Sequence, residues 1–444
     1  MLDLLDFGLN LKALGIGWGT LVMFALLVGL LLTGMPLAMV TLLVALLFAV
    51  GWFGPMAVPL ITSRVYSFVS SFVFISVPMF VLMAAILDRS GIARDLFDAM
   101  KLVGGRLRGG VAVQTIFVAV ILAAMSGIIG GEIVLLGLVA LPQMLRLGYD
   151  RRLAIGVVCA GGALGTMVPP SIVLIIYGLT ANVSVGDLFT AAFVPGFMLA
   201  GLYIAYILFR SYTDPKVAPP PPENRISLSE HLPLLRGLVL PMAVVFVVLG
   251  SIYGGVASIT EAAALGVSSV LIIALIRGEL NYRMLQDSLN HTLETCGMII
   301  WIGIAAAVLV GVYNLMGGNR FVSAAILGLE ASPVVIVLVM MLILIVLGMF
   351  LDWIGIALLT LPIFVPIITQ LGYDPIWFGI LFAVNMQVSY LTPPFGPAAF
   401  YLKSVAPPEI TLKHIYTALL PFIALQLLVL ALLLFFPPIS TWML

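Results

Sequence analysis

The chain has 444 residues, of which 63% are hydrophobic and only 9% charged, with 19 Lys and Arg against 19 Asp and Glu. Ordinary soluble proteins carry roughly 25% charged residues, so these charges are too few to cover a water-soluble body. Their balance also leaves no basic footprint for nucleic acid, and the chain reads as an all-α polytopic membrane protein.

The first spans are Gly17–Leu32, Pro36–Phe53 and Phe72–Leu87, near the roughly 20 apolar residues that a hydrocarbon core about 30 Å thick requires. No basic region precedes Gly17–Leu32 and no small-residue cleavage site follows it, so it reads as a retained span. Asp88–Arg108 carries eight charges among apolar residues such as Leu96 and Phe97 and reads as an amphipathic helix at the interface. Val111–Leu147 is apolar for 37 residues but is interrupted by Ser126-Gly127-Ile128-Ile129-Gly130-Gly131-Glu132. Each arm of about 15 residues reaches about 22 Å, too short to cross, which predicts a re-entrant hairpin. Leu153–Ala181 is broken between Gly161 and Pro170, where two prolines remove backbone donors. Leu188–Phe209 completes the first half.

Thr213–Leu232, with its run Pro219–Pro222, reads as a cytoplasmic, semi-rigid linker. Two spans then follow, Leu234–Ile252 and Ser258–Ile276, and after a polar amphipathic stretch comes a third, Thr295–Val312. Asn314–Glu330 is a second interfacial arm. Pro333–Leu371 is a second hairpin, its tip running from Gly348 through Asp352 to Gly355. Ile376–Leu402 is a second broken helix, and Lys413–Phe436 is the last span.

The order of events therefore repeats, and the register agrees. Leu147-Gly148-Tyr149-Asp150 recurs as Leu371-Gly372-Tyr373-Asp374, and each Asp lies 19 residues before a Pro-Pro pair, at Pro169 and Pro393. The expected architecture is two repeats, residues 1–212 and 233–444, joined by the linker at 213–232. Each has five crossings, one re-entrant hairpin and one broken helix; five is odd, so the halves are inverted. With Asp88–Arg108 cytoplasmic, 16 of the 19 Lys and Arg fall on that side, and only Lys12, Arg64 and Arg320 fall outside. Both termini then face outward, and the hairpins enter from opposite sides.

Inverted repeats with paired broken helices are a secondary-transporter architecture, with binding near the midplane. Unwound carbonyls and hydroxyls suit a cation, and half-helix N-termini favour an anion. The candidate cation ligands are Ser126, Gly127, Gly165, Thr166 and Pro169 in the first half, and Asp352, Asn385, Ser389, Thr392 and Pro393 in the second. Ser126 and Thr166 could instead bond back to their own helices, Thr392 could cap a helix, and Asn385 could glue helices together. Intramembrane carboxylates are costly and so informative. Asp352 needs a cation, a proton or a basic partner, and its hairpin has no Lys or Arg. Glu132 reads as a proton carrier, a salt-bridge partner or a polar anchor. Glu261 in Ser258-Ile259-Thr260-Glu261 reads as part of a helix cap, and Glu294 as interfacial. Cys159 and Cys296 lie in apolar stretches, which argues against a disulfide framework or a Cys-based zinc site. His231, His291 and His414 are scattered at segment ends and read as satisfied or solvated. No GxSxG, HExxH or Walker loop occurs.

The LGYD block, Gly162-Ala163-Leu164-Gly165-Thr166-Met167-Val168-Pro169-Pro170-Ser171-Ile172, Thr260-Glu261-Ala262-Ala263-Ala264 and Thr392-Pro393-Pro394-Phe395-Gly396 together carry a family resemblance. Over nearly its whole length the chain resembles the large membrane subunit of tripartite ATP-independent periplasmic (TRAP) transporters. The resemblance implies a sodium-driven importer of small organic acids in a bacterial inner membrane, with two or more Na+ ions held at the hairpin tips and broken helices. It implies an elevator-type carrier with scaffold and transport domains, a separate four-helix membrane subunit and a periplasmic substrate-binding protein. Gly131, Glu132, Asn385, Thr392 and Gly396 are the candidate substrate contacts. The first tip departs from the family's small-residue pattern at Ile128-Ile129-Gly130-Gly131-Glu132, so a role for Glu132 does not carry over. A stand-alone sodium- or proton-coupled dicarboxylate symporter, or an intramembrane enzyme pairing Glu132 with Asp352, are the alternative readings.

Overall fold

The computed structural model describes residues 10–100, 107–127, 130–219, 236–328, 331–394 and 396–444. Among the described residues every regular element is helical. In the first half these are α1 (Gly15–Leu32), α2 (Leu37–Phe53), α3 (Ala57–Val69), α4 (Ser76–Arg89), α5 (Ile92–Ala99), α6 (Gly110–Ser126), α7 (Gly131–Arg146), α8 (Arg151–Gly162), α9 (Ile172–Ala181) and α10 (Val185–Thr213). The second half has α11 (Arg236–Tyr253), α12 (Ile259–Ile276), α13 (Tyr282–Leu315), α14 (Gly318–Leu327), α15 (Pro333–Gly348), α16 (Trp353–Gln370), α17 (Pro375–Leu391), α18 (Pro397–Val405) and α19 (Leu412–Phe435). Eight helices among the described residues are long and apolar enough to cross a membrane. Seven of them contain expected spans. The eighth is α16, the second arm of the second hairpin.

The repeated LGYD block has a local physical purpose. Gly148 and Gly372 take left-handed backbone, with φ of 83° and 82°, a conformation open to glycine at little cost. The chain then turns back: Tyr149 N–H donates to Met144 O at 3.0 Å, and Tyr373 N–H to Ile368 O at 3.1 Å. The aspartates cap the next helices, Asp150 accepting from Leu153 N–H at 3.0 Å and Asp374 from Ile376 N–H at 2.7 Å. A helix stop and a helix start are thus fused in four residues. Ser258 and Glu261 form a reciprocal capping box at the start of α12, as expected from that segment.

Packing crosses between the halves in exchanged pairs. Helix α2 lies on α13 while α12 lies on α4, and α9 lies on α16 while α18 lies on α7. The two helices that follow the LGYD blocks are the most enclosed. Leu153 through Gly162 of α8 are all buried, as are Trp377 through Leu391 of α17. Trp377 Nε1 donates to Leu433 O at 2.8 Å, and Tyr177 Oη to Pro375 O at 2.6 Å, tying the broken helices to each other and to α19. A smaller core of Met23, Val44, Phe48, Val308 and Val312 joins α1 and α2 to α13.

Four expectations are corrected. Asp88–Arg108 is not one interfacial helix: Asp88 and Arg89 end α4, Gly91 turns the chain, and among the described residues of the arm α5 follows, with 101–106, including Lys101 and Arg106, outside them. The polar stretch before Thr295 and the span after it are one helix, α13, whose 34 residues reach about 51 Å. Glu294 therefore lies within a helix and is exposed, and Asn314 belongs to the end of α13 rather than to the second arm. The linker begins docked: Val217 and Ala218 are buried, and Val217 O accepts from Asp150 N–H at 2.9 Å. Its remainder from 220, with His231, is outside the described residues, as is Glu330. Helix α3 answers to no element read from sequence, because Arg64, Ser67 and Ser70 interrupt its apolar run.

Candidate functional site

The two hairpins place their tips at one cavity of about 460 Å³. Ser126, Gly127, Gly131 and Glu132 border it from the first tip, and Asp352 and Trp353 from the second. The end of α4 contributes Asp88 and Arg89, α13 contributes His291 and Thr295, and Tyr390 and Tyr401 close it from the second broken helix. The last two rings lie nearly parallel, 19° apart with centroids at 6.4 Å.

Glu132 is 2% exposed, and its Oε1 accepts a short hydrogen bond from Ser126 Oγ. Its Oε2 is buried with no partner among the described residues. The carboxylate lies over Gly165, where a Cβ would come 2.9 Å from Glu132 Oε1. Gly127 sits against the carbonyl oxygen of Pro170, so close that a Cβ there would collide with it, and its φ of 59° also favours glycine. Ser171 Oγ donates to Thr166 O at 2.6 Å, and Thr166 Oγ1 bonds back to Ala163 O at 3.0 Å. Ser126 and Gly127 line the cavity with Glu132, and Gly165 packs under the Glu132 carboxylate, while Gly165, Thr166 and Pro169 all lie in the first break and off the cavity wall.

In the second half Asp352 caps α16, accepting from Ile354 N–H at 3.2 Å. Asn385 is fully buried; its Nδ2 donates to Met341 O at 3.0 Å, and its Oδ1 has no partner. Ser389 Oγ donates to Asn385 O at 3.1 Å, and Ser389 packs against Gly348 beside the second tip. Thr392 caps the end of α17 and donates to Val388 O at 2.6 Å. Gly396 opens α18 with its back to Tyr416 and the Thr392 carbonyl. Asn385, Ser389, Thr392, Pro393 and Gly396 therefore surround the second break without bordering the cavity.

Sequence reasoning missed Asp88, Arg89, His291 and Gln387. Asp88 and Arg89 were counted with the arm, and His291 was set aside as a segment-end residue although it faces the cavity. Gln387 is fully buried on α17; its Nε2 donates to Ala163 O at 3.1 Å across to the first break, and its Oε1 is unpartnered. A signal for it was present: an amide with no exposed face in a 17-residue apolar helix.

Buried acceptor oxygens left unpaired cost free energy, and three of them belong to Glu132 at the first tip and to Asn385 and Gln387 on α17. Residues 24–439 match the tripartite ATP-independent periplasmic transporter, DctM component, family. The chain belongs to that family. It is 28% identical over 443 residues to the C4-dicarboxylate TRAP transporter large permease protein DctM of Vibrio cholerae, covering 95% of this chain and 96% of that one. Identity to the Pseudomonas aeruginosa protein of the same name is 30% over 389 residues, 87% and 90% of the two chains. The isethionate permease protein DctMQ of Oleidesulfovibrio alaskensis is 29% identical over 92% of this chain and 64% of its own length. In fold, the chain resembles the Alcanivorax borkumensis YdaH transporter, with a TM-score of 0.60 at 17% identity over 85% and 87% of the chains. The protein is thus a multi-pass membrane permease, not an enzyme, and as a TRAP large permease it works with a substrate-binding protein.

Proposed function

We propose that the chain imports a small organic acid, handed over by a periplasmic substrate-binding protein, by coupling its entry to an inward sodium gradient. The observation that carries this reading is the meeting of Glu132 and Asp352, from hairpins 220 residues apart in sequence, at one cavity. Two carboxylates, with the unpaired Oε2 of Glu132 among their oxygens, suit Na+ as a transported ion. Arg89, His291 and the helix starts at the tips suit the carboxylate of the substrate. The exchanged packing of α2 on α13 with α12 on α4, and of α9 on α16 with α18 on α7, supports two inverted halves. On that reading the hairpins and broken helices form a transport domain that moves as an elevator against the scaffold of α1–α4 and α11–α13. The protein sits in the inner membrane with both termini periplasmic, beside a separate four-helix subunit. Relatives named for C4-dicarboxylates, isethionate and ectoine support a small organic acid as the substrate class.

Reconstitution tests this. Liposomes holding this chain and its small subunit, supplied with the cognate binding protein, should accumulate substrate only under an inward sodium gradient. Uptake by this chain alone, or uptake indifferent to sodium, would overturn the reading.

A further inference from the structure

A second cavity, of about 440 Å³, shares Ile299 with the first; on the charge-sorted orientation the first is the inner cavity and this one the outer. The two are built on matching positions. The inner one takes Ala84, Ala85 and Asp88 from α4, and the outer one takes Val310, Gly311 and Asn314 from α13. The spacing is identical, and both Asp88 and Asn314 lie three residues before a glycine with left-handed backbone, Gly91 or Gly317.

Their chemistry is opposite. Asp88, Glu132 and Asp352 border the inner cavity. No carboxylate borders the outer one, whose polar lining is Arg64, Ser67, Ser71, Thr180 and Asn314. Arg64 is exposed to this cavity and makes no ion pair among the described residues, and its stem crosses Gly311, where a Cβ would come 2.7 Å from Arg64 Cγ. On α3 the Thr62 hydroxyl bonds back to Val58 at 2.9 Å, and that of Ser70, at its end, to Tyr66 at 2.7 Å. The hydroxyls of Ser67 and Ser71 have no such bond, and Asn314 Oδ1 is buried without a partner. Arg64 is also one of only three cations that charge sorting leaves on the outer side, where basic residues are disfavoured. An ionisable side chain kept at such a place is a mark of function.

We propose that Arg64, with Ser67, Ser71 and Asn314, forms an outward anion-receiving site that takes the carboxylate or sulfonate group of the substrate before it reaches the tips. Guanidinium and hydroxyl donors with no acid nearby match an oxyanion in charge and in hydrogen-bond sense. The assignment rests on the importer reading and on the charge-sorted orientation.

The test needs neither transport nor a known substrate. Ser67→Cys, in the full chain with its small subunit in intact cells, is reacted with membrane-impermeant sulfonatoethyl (anionic) or trimethylammonioethyl (cationic) methanethiosulfonate. Val256→Cys in the exposed loop after α11 (82% exposed) serves as the outward reference. One charge about 7 Å away changes each encounter roughly threefold even in a water-like dielectric. The anionic-to-cationic rate ratio at Ser67→Cys should therefore exceed that at Val256→Cys and fall about sevenfold with Arg64→Gln, while Arg64→Lys retains it. If Arg64→Gln fails to fold, the comparison with Val256→Cys still decides. Equal ratios at the two sites, a ratio unmoved by Arg64→Gln, or labelling of Ser67→Cys only from the cytoplasmic side would overturn the proposal. Because labelling is read without uptake, loss of sodium coupling would leave it standing, and a flat ratio would sink it with uptake intact.

Discussion

Gly165 is where a single methyl group should separate sodium binding from folding. A Cβ on Gly165 falls 2.9 Å from Glu132 Oε1 and 3.3 Å from Oε2. Ordinary C···O contacts begin at about 3.3 Å, so the carboxylate must retreat by roughly 0.4 Å or swing away. Oε1 is the atom that accepts from Ser126, so either movement weakens that bond and turns the unpaired Oε2. A hydrogen bond to a charged group contributes about 1.5–3 kcal/mol. Losing the lower figure from the sodium-bound state weakens sodium affinity about tenfold. The assay is thermal unfolding of the purified complex, titrated with sodium at constant ionic strength made up with potassium. Saturating sodium, at about 100 times Kd, should stabilise the wild type by about 2.7 kcal/mol, and Gly165→Ala should need about tenfold more for the same shift. Gly201→Ala is the control, since a Cβ at Gly201 meets nothing within 4 Å; it should leave the sodium midpoint unchanged and stabilise α10 by up to about 1 kcal/mol. A wild-type sodium midpoint in a folded Gly165→Ala protein would refute the placing of Glu132 at the ion.

Asp352→Ala should abolish sodium activation or all uptake; Asp352→Asn keeps a side chain able to cap α16 and should lose sodium activation at nearly unchanged melting temperature. Full sodium activation in Asp352→Asn would remove that carboxylate from the site. Tyr177→Phe deletes the 2.6 Å bond to Pro375 O while its ring contacts with Phe378 and Phe382 persist, and should cost about 1 kcal/mol in unfolding. Ser258→Ala removes half of the α12 capping box and should also cost about 1 kcal/mol, with sodium dependence intact in uptake assays.

The long elements were legible because hydropathy and the Gly-Pro breaks are local properties. The helix pairs on either side of Gly127 and Asp352, both breaks and the paired LGYD stops fall at the positions read from sequence. What escaped was set by contact rather than composition. Helix α3 is too polar for a span and too short for a domain, and its place against α13 is decided by Gly303 and Gly311, which admit Phe68 and Arg64. Asp88 sits in a charged stretch that reads as solvated, yet it ends α4 at the cavity. The expected ligands at the second break, Thr392, Pro393 and Gly396, were inferred by analogy with the first. The two tips put Glu132 and Asp352 on the cavity, while Gly165, Thr166 and Pro169 of the first break lie off it just as Thr392, Pro393 and Gly396 of the second do.

The placement of acids also gives a physical account of coupling on the sodium-driven reading. A substrate carboxylate arriving at the inner cavity meets Asp88, Glu132 and Asp352, with Arg89 and His291 as the facing bases. Two like charges about 7 Å apart at an effective dielectric near 20 repel by about 2.4 kcal/mol, which is about 50-fold in occupancy for each acid left unpaired. A sodium ion bound at Glu132 or Asp352 cancels that term, so the anion binds well only after the cation, with no moving part needed to enforce the order. The amide at Asn314, in the position that Asp88 holds in the inner cavity, spares the outer cavity the same repulsion. An anion can then enter from outside before the ions are in place and proceed inward only when they are.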